Sequence, residues 1–403
     1  MLAFRNIIRN KRRSALALVA VAMGIMALIL ASGFIQWIFQ DFRETSIRSQ
    51  LGHLQIVRPG YFESGTADPY AYLLPDSLSE FFTLDADADR EIQAIVPRLN
   101  FSGLISHDEA TLSFIGEGVD PDEQRFFGDA LEISQGAHLS AGQPGQAILG
   151  KGLARNLGVA VGDIVVLLVN TASGSINAIE VTVGGLFTTV TKSYDDNALR
   201  LPIDMARQLL RTQGAHRWIV LLDDTGQTDH VLARLRARLP ANRIEIVPWY
   251  ELADFYNKTI VLFTKQVQGI KVIIALIILL SISNTMSRSV MERTGEIGTA
   301  MALGVKKSDI LRQFLSEGAL IGVIGGLIGL AVGLALAYLI SFIGIPMPPP
   351  PGMARGYTGE ILVTLPMVLE ALLLAVLTTL AASVYPAWKA SRMQIVDALR
   401  HNR

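Results

Sequence analysis

The stretch closest to a nucleotide site is Gly145–Gly152, reading GQAILGKG. In a phosphate loop, backbone N–H groups cradle the phosphates, a lysine reaches them, and a following Ser or Thr hydroxyl holds magnesium. Here Gly152 stands where that hydroxyl belongs, and the apolar run lies inside the loop rather than before it. A nucleotide role is therefore set aside. Asp108 and Glu109, and Asp120, Asp122 and Glu123, are grouped carboxylates. They lack the central Gly and closing Glu of a calcium loop, and read as solvated turns. The 6 His are scattered singly and there is no Cys, so neither imidazole nor thiolate zinc chemistry has support. No Ser-His-Asp or paired-carboxylate constellation stands out either. The expectation is a chain with no catalytic, cofactor or metal residues of its own.

Other residues have a physical rather than a catalytic task. Gly318, Gly322 and Gly326 recur four apart, and so do Gly325, Gly329 and Gly333. Small residues at that interval let helix backbones approach closely in lipid. A dinucleotide loop is the rival reading of the same glycines, but they sit inside an unbroken apolar run with no strand before them. Lys271 and Glu370 are the few charges near span interiors. They are read either as a pair near the headgroups or as the polar landmark of a lateral entry for a lipid-linked substrate. From Glu292 to Glu317 runs a short amphipathic helix stopped by Gly304, with a restart at Ser308 as N-cap and Asp309 in the first turn. Such a helix under the membrane is either a docking knob for a partner or an idle interfacial element.

The elements that hold these residues follow from charge. Of 403 residues, 50% are hydrophobic and only 18% charged, against roughly a quarter in soluble domains. No Asp, Glu, Lys or Arg occurs over 14–40, 318–354 or 371–388. Each gap approaches or exceeds the ~20 apolar residues that cross a bilayer. A wholly soluble enzyme is excluded. The expected order is a basic N-terminus at 1–13, a first span at 14–40, a large domain at 41–257, and a stalk with the second span at 258–287. A loop with the short helix follows at 288–317, then a third span at 318–344, a Pro-rich loop at 345–363, a fourth span at 364–388 and a tail at 389–403. The second span is the least clean. Its strongest run is Val272–Ser287, and Lys265 and Lys271 are expected to snorkel above it.

Orientation follows from short-loop charges. Arg5, Arg9, Lys11, Arg12 and Arg13 precede the first span; Arg288, Arg293, Lys306, Lys307 and Arg312 lie between the second and third; Lys389, Arg392, Arg400 and Arg403 follow the fourth. Only Arg355 lies between the third and fourth. Basic loops stay cytoplasmic, so both termini are expected inside and 41–257 outside. That outer block holds 17 Lys+Arg against 29 Asp+Glu, so the net charge of −1 conceals an acidic domain and a basic membrane part. Within it, Val- and Ile-rich runs at Ala110–Ile115, Asp163–Val169, Ile176–Phe187, Trp218–Leu222 and Arg243–Val247 read as strands. Helices are expected at Gly152–Leu157, Ile203–Arg211 and Thr228–Leu239, and 61–90 reads as irregular. The fold class is a membrane protein with four transmembrane α-helices and a large α+β periplasmic domain inserted between the first two.

Three regions carry a family resemblance: the opening MLAFRNIIRNKRR before the first span; Glu296-Ile-Gly with Ala302-Leu-Gly304; and Tyr385-Pro-Ala with the closing Asp397-Ala-Leu-Arg400. With them the chain resembles permease subunits of ABC transporters in the MacB/FtsX superfamily, including the lipoprotein-releasing (Lol-type) permeases. The stretch 147–163 is also similar to that family's periplasmic domain. The resemblance implies a bacterial inner-membrane, multi-pass subunit that pairs with a second copy or a paralogue. It implies two copies of a separate cytoplasmic ATPase, which bind ATP and Mg, and docking through Glu292, Arg293, Glu296, Ile297, Gly298, Met301, Ala302, Leu303, Gly304, Lys306 and Lys307. A basic residue usual in the family is Met301 here, which implies an apolar contact at that point, with Lys306 and Lys307 supplying charge. Motion of the outer domain would extract or export a lipidated or hydrophobic substrate, with membrane lipid, a periplasmic adaptor or a lipoprotein as further partners. An FtsX-like module that activates a cell-wall hydrolase is the alternative. Nothing points to nucleic acid.

Overall fold

A computed structural model describes residues 11–65, 68–76, 89–123, 126, 131–140, 142, 145–189, 191–348 and 357–393. The basic residues Arg5 and Arg9, the Pro-rich stretch 349–356 and the end of the tail with Arg400 and Arg403 lie outside the described residues. In chain order come α1 (Lys11–Ser46), β1 (Leu54–Val57), β2 (Ile92–His107), β3 (Ala110–Val119), β4 (Glu132–Gly136) and β5 (Gln146–Gly150). Next are α2 (Lys151–Leu157), β6 (Ile164–Asn170), β7 (Ile176–Thr188), β8 (Ala198–Pro202), α3 (Ile203–Leu210), β9 (Arg217–Leu222), α4 (Thr228–Arg238) and β10 (Glu245–Pro248). Then come α5 (Asp254–Glu292), α6 (Thr294–Ala302), α7 (Lys307–Ile343) and α8 (Leu365–Ser391), with two short paired strands, Ile345–Met347 and Tyr357–Gly359, between the last two. The chain divides into a helical unit (Met1–Gln40, Thr259–Pro346, Thr358–Arg403) and a mixed unit (Asp41–Lys258, Met347–Tyr357).

In the mixed unit the strands form one sheet in the order β10-β1-β9-β2-β3-β8-β5-β7-β4, with β6 bridging β2 and β7. Alternation builds it: along β6, Val165, Leu167 and Val169 turn into the core while Ile164, Val166 and Leu168 face outward. All five strands expected from Val and Ile content are present. Five others were not legible, of which β2 is the longest. Pro97, Arg98, Asn100 and Gly103 interrupt its pattern, and each is accommodated by its neighbours. Arg98 is ion-paired, and Gly103 lies against the Leu168 carbonyl, where a Cβ would not fit. Gly145–Gly152 is the buried strand β5 running into α2. Its glycines serve packing: a side chain at Gly150 or Gly152 would strike Asp195 or Asp196.

In the helical unit, α1, α5, α7 and α8 are each long and apolar enough to cross a membrane. The restart expected at Ser308 begins earlier. Lys306 is extended (φ −70, ψ 147) and caps α7, so Ser308 lies within the first turn, with Asp309 as expected. The two glycine rows on α7 face different partners. Gly318, Gly322 and Gly326 meet Ser383, Thr379 and Ala375 of α8. Gly325, Gly329 and Gly333 meet Val21, Ala22 and Met26 of α1. A Cβ at Gly329 would lie 2.5 Å from the Ala22 carbonyl oxygen. The hydroxyls on α8 that face the first row are satisfied within their own helix: Thr379 donates to Ala375 at 2.9 Å and Ser383 to Thr379 at 2.7 Å. They fill space without needing water. On α1, Gly24 admits Ile274 and Ile278 of α5.

Replacing Gly322 or Gly329 with Leu should therefore lower the unfolding free energy in detergent by about 1–3 kcal/mol, the usual cost of overpacking. Gly269 has nothing within 4 Å of its position. Gly269→Ala should raise stability by about 0.5–1 kcal/mol through helix propensity alone. Equal effects at all three positions in a thermal-shift measurement would contradict the close-approach account.

Candidate functional site

The best-defined candidate surface is the short helix α6. It begins where Arg293 (φ −97, ψ 12) breaks the line of α5, and it ends at Gly304, whose φ of 94 suits a residue without a side chain. Thr294 donates its hydroxyl back to Met291 at 2.7 Å, filling the first turn. The implied docking residues split by face. Arg293, Ile297, Gly298 and Met301 are buried against the bundle. Glu292, Glu296, Ala302, Leu303, Gly304, Lys306 and Lys307 are exposed, with Leu303 at 83%. The apolar partner contact expected at Met301 is corrected: its side chain packs in the helical core and is 8% exposed. Leu303, two residues on, is the outward apolar group.

A second feature lies within the helical unit. Lys271 on α5 donates to Glu370 on α8 at 2.5 Å. Beside this pair is a cavity of about 280 Å³, lined by Leu28, Ser32 and Gln36 of α1, Thr264 and Val267 of α5, and Thr364 and Met367 around the start of α8. The Ser32 hydroxyl is buried with no hydrogen-bond partner among the described residues. An apolar wall with a few polar groups and one ion pair suits an amphiphile better than an ion.

A third feature corrects the reading of Glu123 as a solvated turn carboxylate, because its side chain is buried among arginines. Within the mixed unit, Arg98 and Arg200 each bridge Glu117 and Glu123, at 2.9–3.5 Å, and all four are buried. Arg217 reaches Glu117 at 2.6 Å, and Tyr194 donates to Glu117 at 2.9 Å. Arg200 also donates to the Ser49 carbonyl at 3.1 Å, beyond the end of α1. Burial pushes Glu117 upward, but Arg200, Arg98 and Arg217 outweigh it and hold its carboxyl at about 2. For Glu123, burial prevails and raises it. Nearby, the Leu222 N–H donates to Nδ1 of His53, which leaves Nε2 facing Thr225, whose hydroxyl donates to Glu44 at 2.9 Å. Burial lowers His53 to about 4, so it is neutral at physiological pH. These networks hold strands to each other and to the segment leaving α1. They lack a nucleophile aimed at open space, and no group of three or more potential ligands among the described residues could hold a metal.

Two family descriptions match in chain order: the MacB-like periplasmic core domain over residues 14–238 and the FtsX-like permease C-terminal region over residues 270–395. The chain belongs to the MacB/FtsX family of ABC transporter permeases. The lipoprotein-releasing system transmembrane protein LolC of Xylella fastidiosa (strain Temecula1) is 25% identical over 336 residues, covering 78% of this permease and 79% of LolC. An uncharacterised ABC transporter permease of Methanocaldococcus jannaschii is 26% identical over 202 residues, and the match spans 48% of each chain. The macrolide export ATP-binding/permease protein MacB of Syntrophobacter fumaroxidans is 31% identical over 151 residues, 38% of this chain and 19% of that protein.

The exposed short helix and the Lys271–Glu370 pair thus fall in the segment matched as FtsX-like, the buried charge network falls in the MacB-like segment, and the cavity beside the pair draws on α1 as well. The one sequence signal for that network was charge in the wrong place: Arg98, Glu117 and Arg200 interrupt apolar strand runs. Its acid behaviour follows from the shifts. Glu117 lies below its ordinary 4.5, so the stability it confers is full above pH 4.5 and lost as pH falls toward 2. Glu123, raised, has the opposite sign: its contribution is full below 4.5 and declines as pH rises. Glu117→Gln should cost about 3–5 kcal/mol at neutral pH, since it strands buried guanidiniums. It should also flatten the acid limb between 4.5 and 2. Tryptophan-monitored unfolding of the full chain across that range checks both signs.

Proposed function

We propose that this permease is the non-catalytic membrane subunit of an ATP-driven transporter of the mechanotransmission type, sited in a bacterial inner membrane. A separate cytoplasmic ATPase, in two copies, docks on the exposed face of α6 and carries the ATP and magnesium. Its cycle moves the helices, and through them the inserted domain, which acts on the periplasmic side. Both termini lie in the cytoplasm, as the basic residues of the short loops require. A second copy of the chain, or a paralogue, completes the unit.

The observation that carries this reading is the uneven distribution of polar groups along the spans. The runs 14–40, 318–354 and 371–388 hold no charge, and charges pair at their ends: Lys271 with Glu370 beside the cavity near the start of α8, and Arg293 with Glu317 at the start of the run on α7. A solute path would need polar groups near the midplane. A site at one end of the bundle and a protein-docking helix at the other suit transmission of force rather than passage of solute. The cavity is proposed as the lateral entry for a lipidated or hydrophobic substrate, with apolar walls for acyl chains and Lys271 and Glu370 at the headgroup end. Lipoprotein release is favoured over macrolide efflux because the LolC match extends over 79% of that protein and the MacB match over 19%.

Purification of the permease with its ATPase from native membranes tests the whole reading. A bound acylated protein or lipid is the expected companion; a cell-wall hydrolase without lipid-linked cargo would replace transport by signalling. For the docking surface, Glu296→Lys combined with Gly304→Pro should cut ATPase co-purification by about tenfold or more, equivalent to ~1.4 kcal/mol. Membrane insertion should remain intact. Undiminished co-purification would remove α6 from the interface.

A further inference from the structure

Arg293 and Glu317 form an ion pair whose place in the fold has a mechanical consequence. Arg293 Nη1 donates to Glu317 Oε2 at 3.4 Å, with side-chain exposures of 8% and 6%. The partners bracket the short helix: Arg293 is the break between α5 and α6, and Glu317 lies on α7 where its charge-free run begins. The adjoining cavity, between α1, α5 and α7, is about 20 Å³, room for about one water molecule. The pair is therefore shielded from bulk solvent, so that removing either partner disturbs a buried charge.

The helix it brackets needs external support. At 9 residues, α6 is shorter than the ~12–15 at which an isolated helix becomes stable in water. Arg293 and Gly304 break the chain on either side. Ile297 and Met301 on its inner face are apolar and non-directional, and hold the helix on the bundle without setting its angle. Arg293 also accepts the Ile297 N–H on its carbonyl at 2.9 Å, so its backbone forms the first turn of α6 while its side chain grips α7.

We propose that Arg293 and Glu317 act as positioning residues, a clamp that fixes α6 to α7 so that displacement of the short helix reaches α7 as one rigid movement. The functional half of this inference rests on the docking reading above; the mechanical half does not.

The chain contains no cysteine, so paired spin labels can be placed uniquely in the full-length protein in phospholipid nanodiscs. One pair, Thr299→Cys and Arg312→Cys, reports α6 against α7. A control pair, Leu327→Cys and Leu373→Cys, reports α7 against α8 at exposed positions. Arg293→Met or Glu317→Met should broaden the first distance distribution roughly twofold and leave the control unchanged, since one partner's loss unbalances the other. The exchange Arg293→Glu with Glu317→Arg should restore the narrow distribution. An unchanged first pair in the single variants, an exchange as broad as they are, or a control that broadens in parallel would each overturn the clamp. No ATPase is present in these measurements. Failure of docking would instead appear as absence of ATPase from the purified wild-type complex.

Discussion

Hydrocarbon gives helices little reason to associate, because lipid tails are as apolar as leucine. The helical unit therefore depends on how closely backbones can approach, and α7 is built for that. Its two glycine rows lie on adjacent faces, one admitting α8 and the other α1. With α7 in the middle, the hydroxyls of Thr379 and Ser383 fold back on their own helix and serve as small packing groups. The same α7 continues as one helix from Lys307 to Ile343. The residues that follow the short helix are thus the foot of this central element, and whatever moves them acts on the helix that holds two others.

The mixed unit meets the opposite problem. It is acidic overall, yet one network in its interior sets three arginines against two glutamates. Burying charge is costly unless each group is paired and hydrogen-bonded. Here Glu117 alone receives Arg98, Arg200, Arg217 and Tyr194. The network ties β2, β3, β8 and β9 together through directional ion pairs. Through Arg200 and Ser49, and through Glu44, Thr225 and His53, it also takes hold of the chain as it leaves α1.

Membership in the MacB/FtsX family joins these two solutions. One is a bundle packed through glycine, the other a sheet pinned by buried charge. The outward face of α6 and the cavity beside Lys271 and Glu370 belong to the first.

Much of this was legible in the amino-acid order. The charge-free runs marked three of the four helices that are long and apolar enough to cross a membrane, the four-residue glycine spacing announced close packing on α7, and Glu292–Glu317 stood out as a short helix between breaks. Those features are local, and a helix or span is decided within a few turns of chain. What required the tertiary structure was the choice of partner. Spacing alone does not say that Gly322 meets Thr379 while Gly329 meets Ala22, that Met301 turns inward and Leu303 outward, or that Arg98 in a broken apolar run finds Glu123. Each of those facts depends on segments far apart in sequence, and is settled by close packing and by the pairing of buried charge.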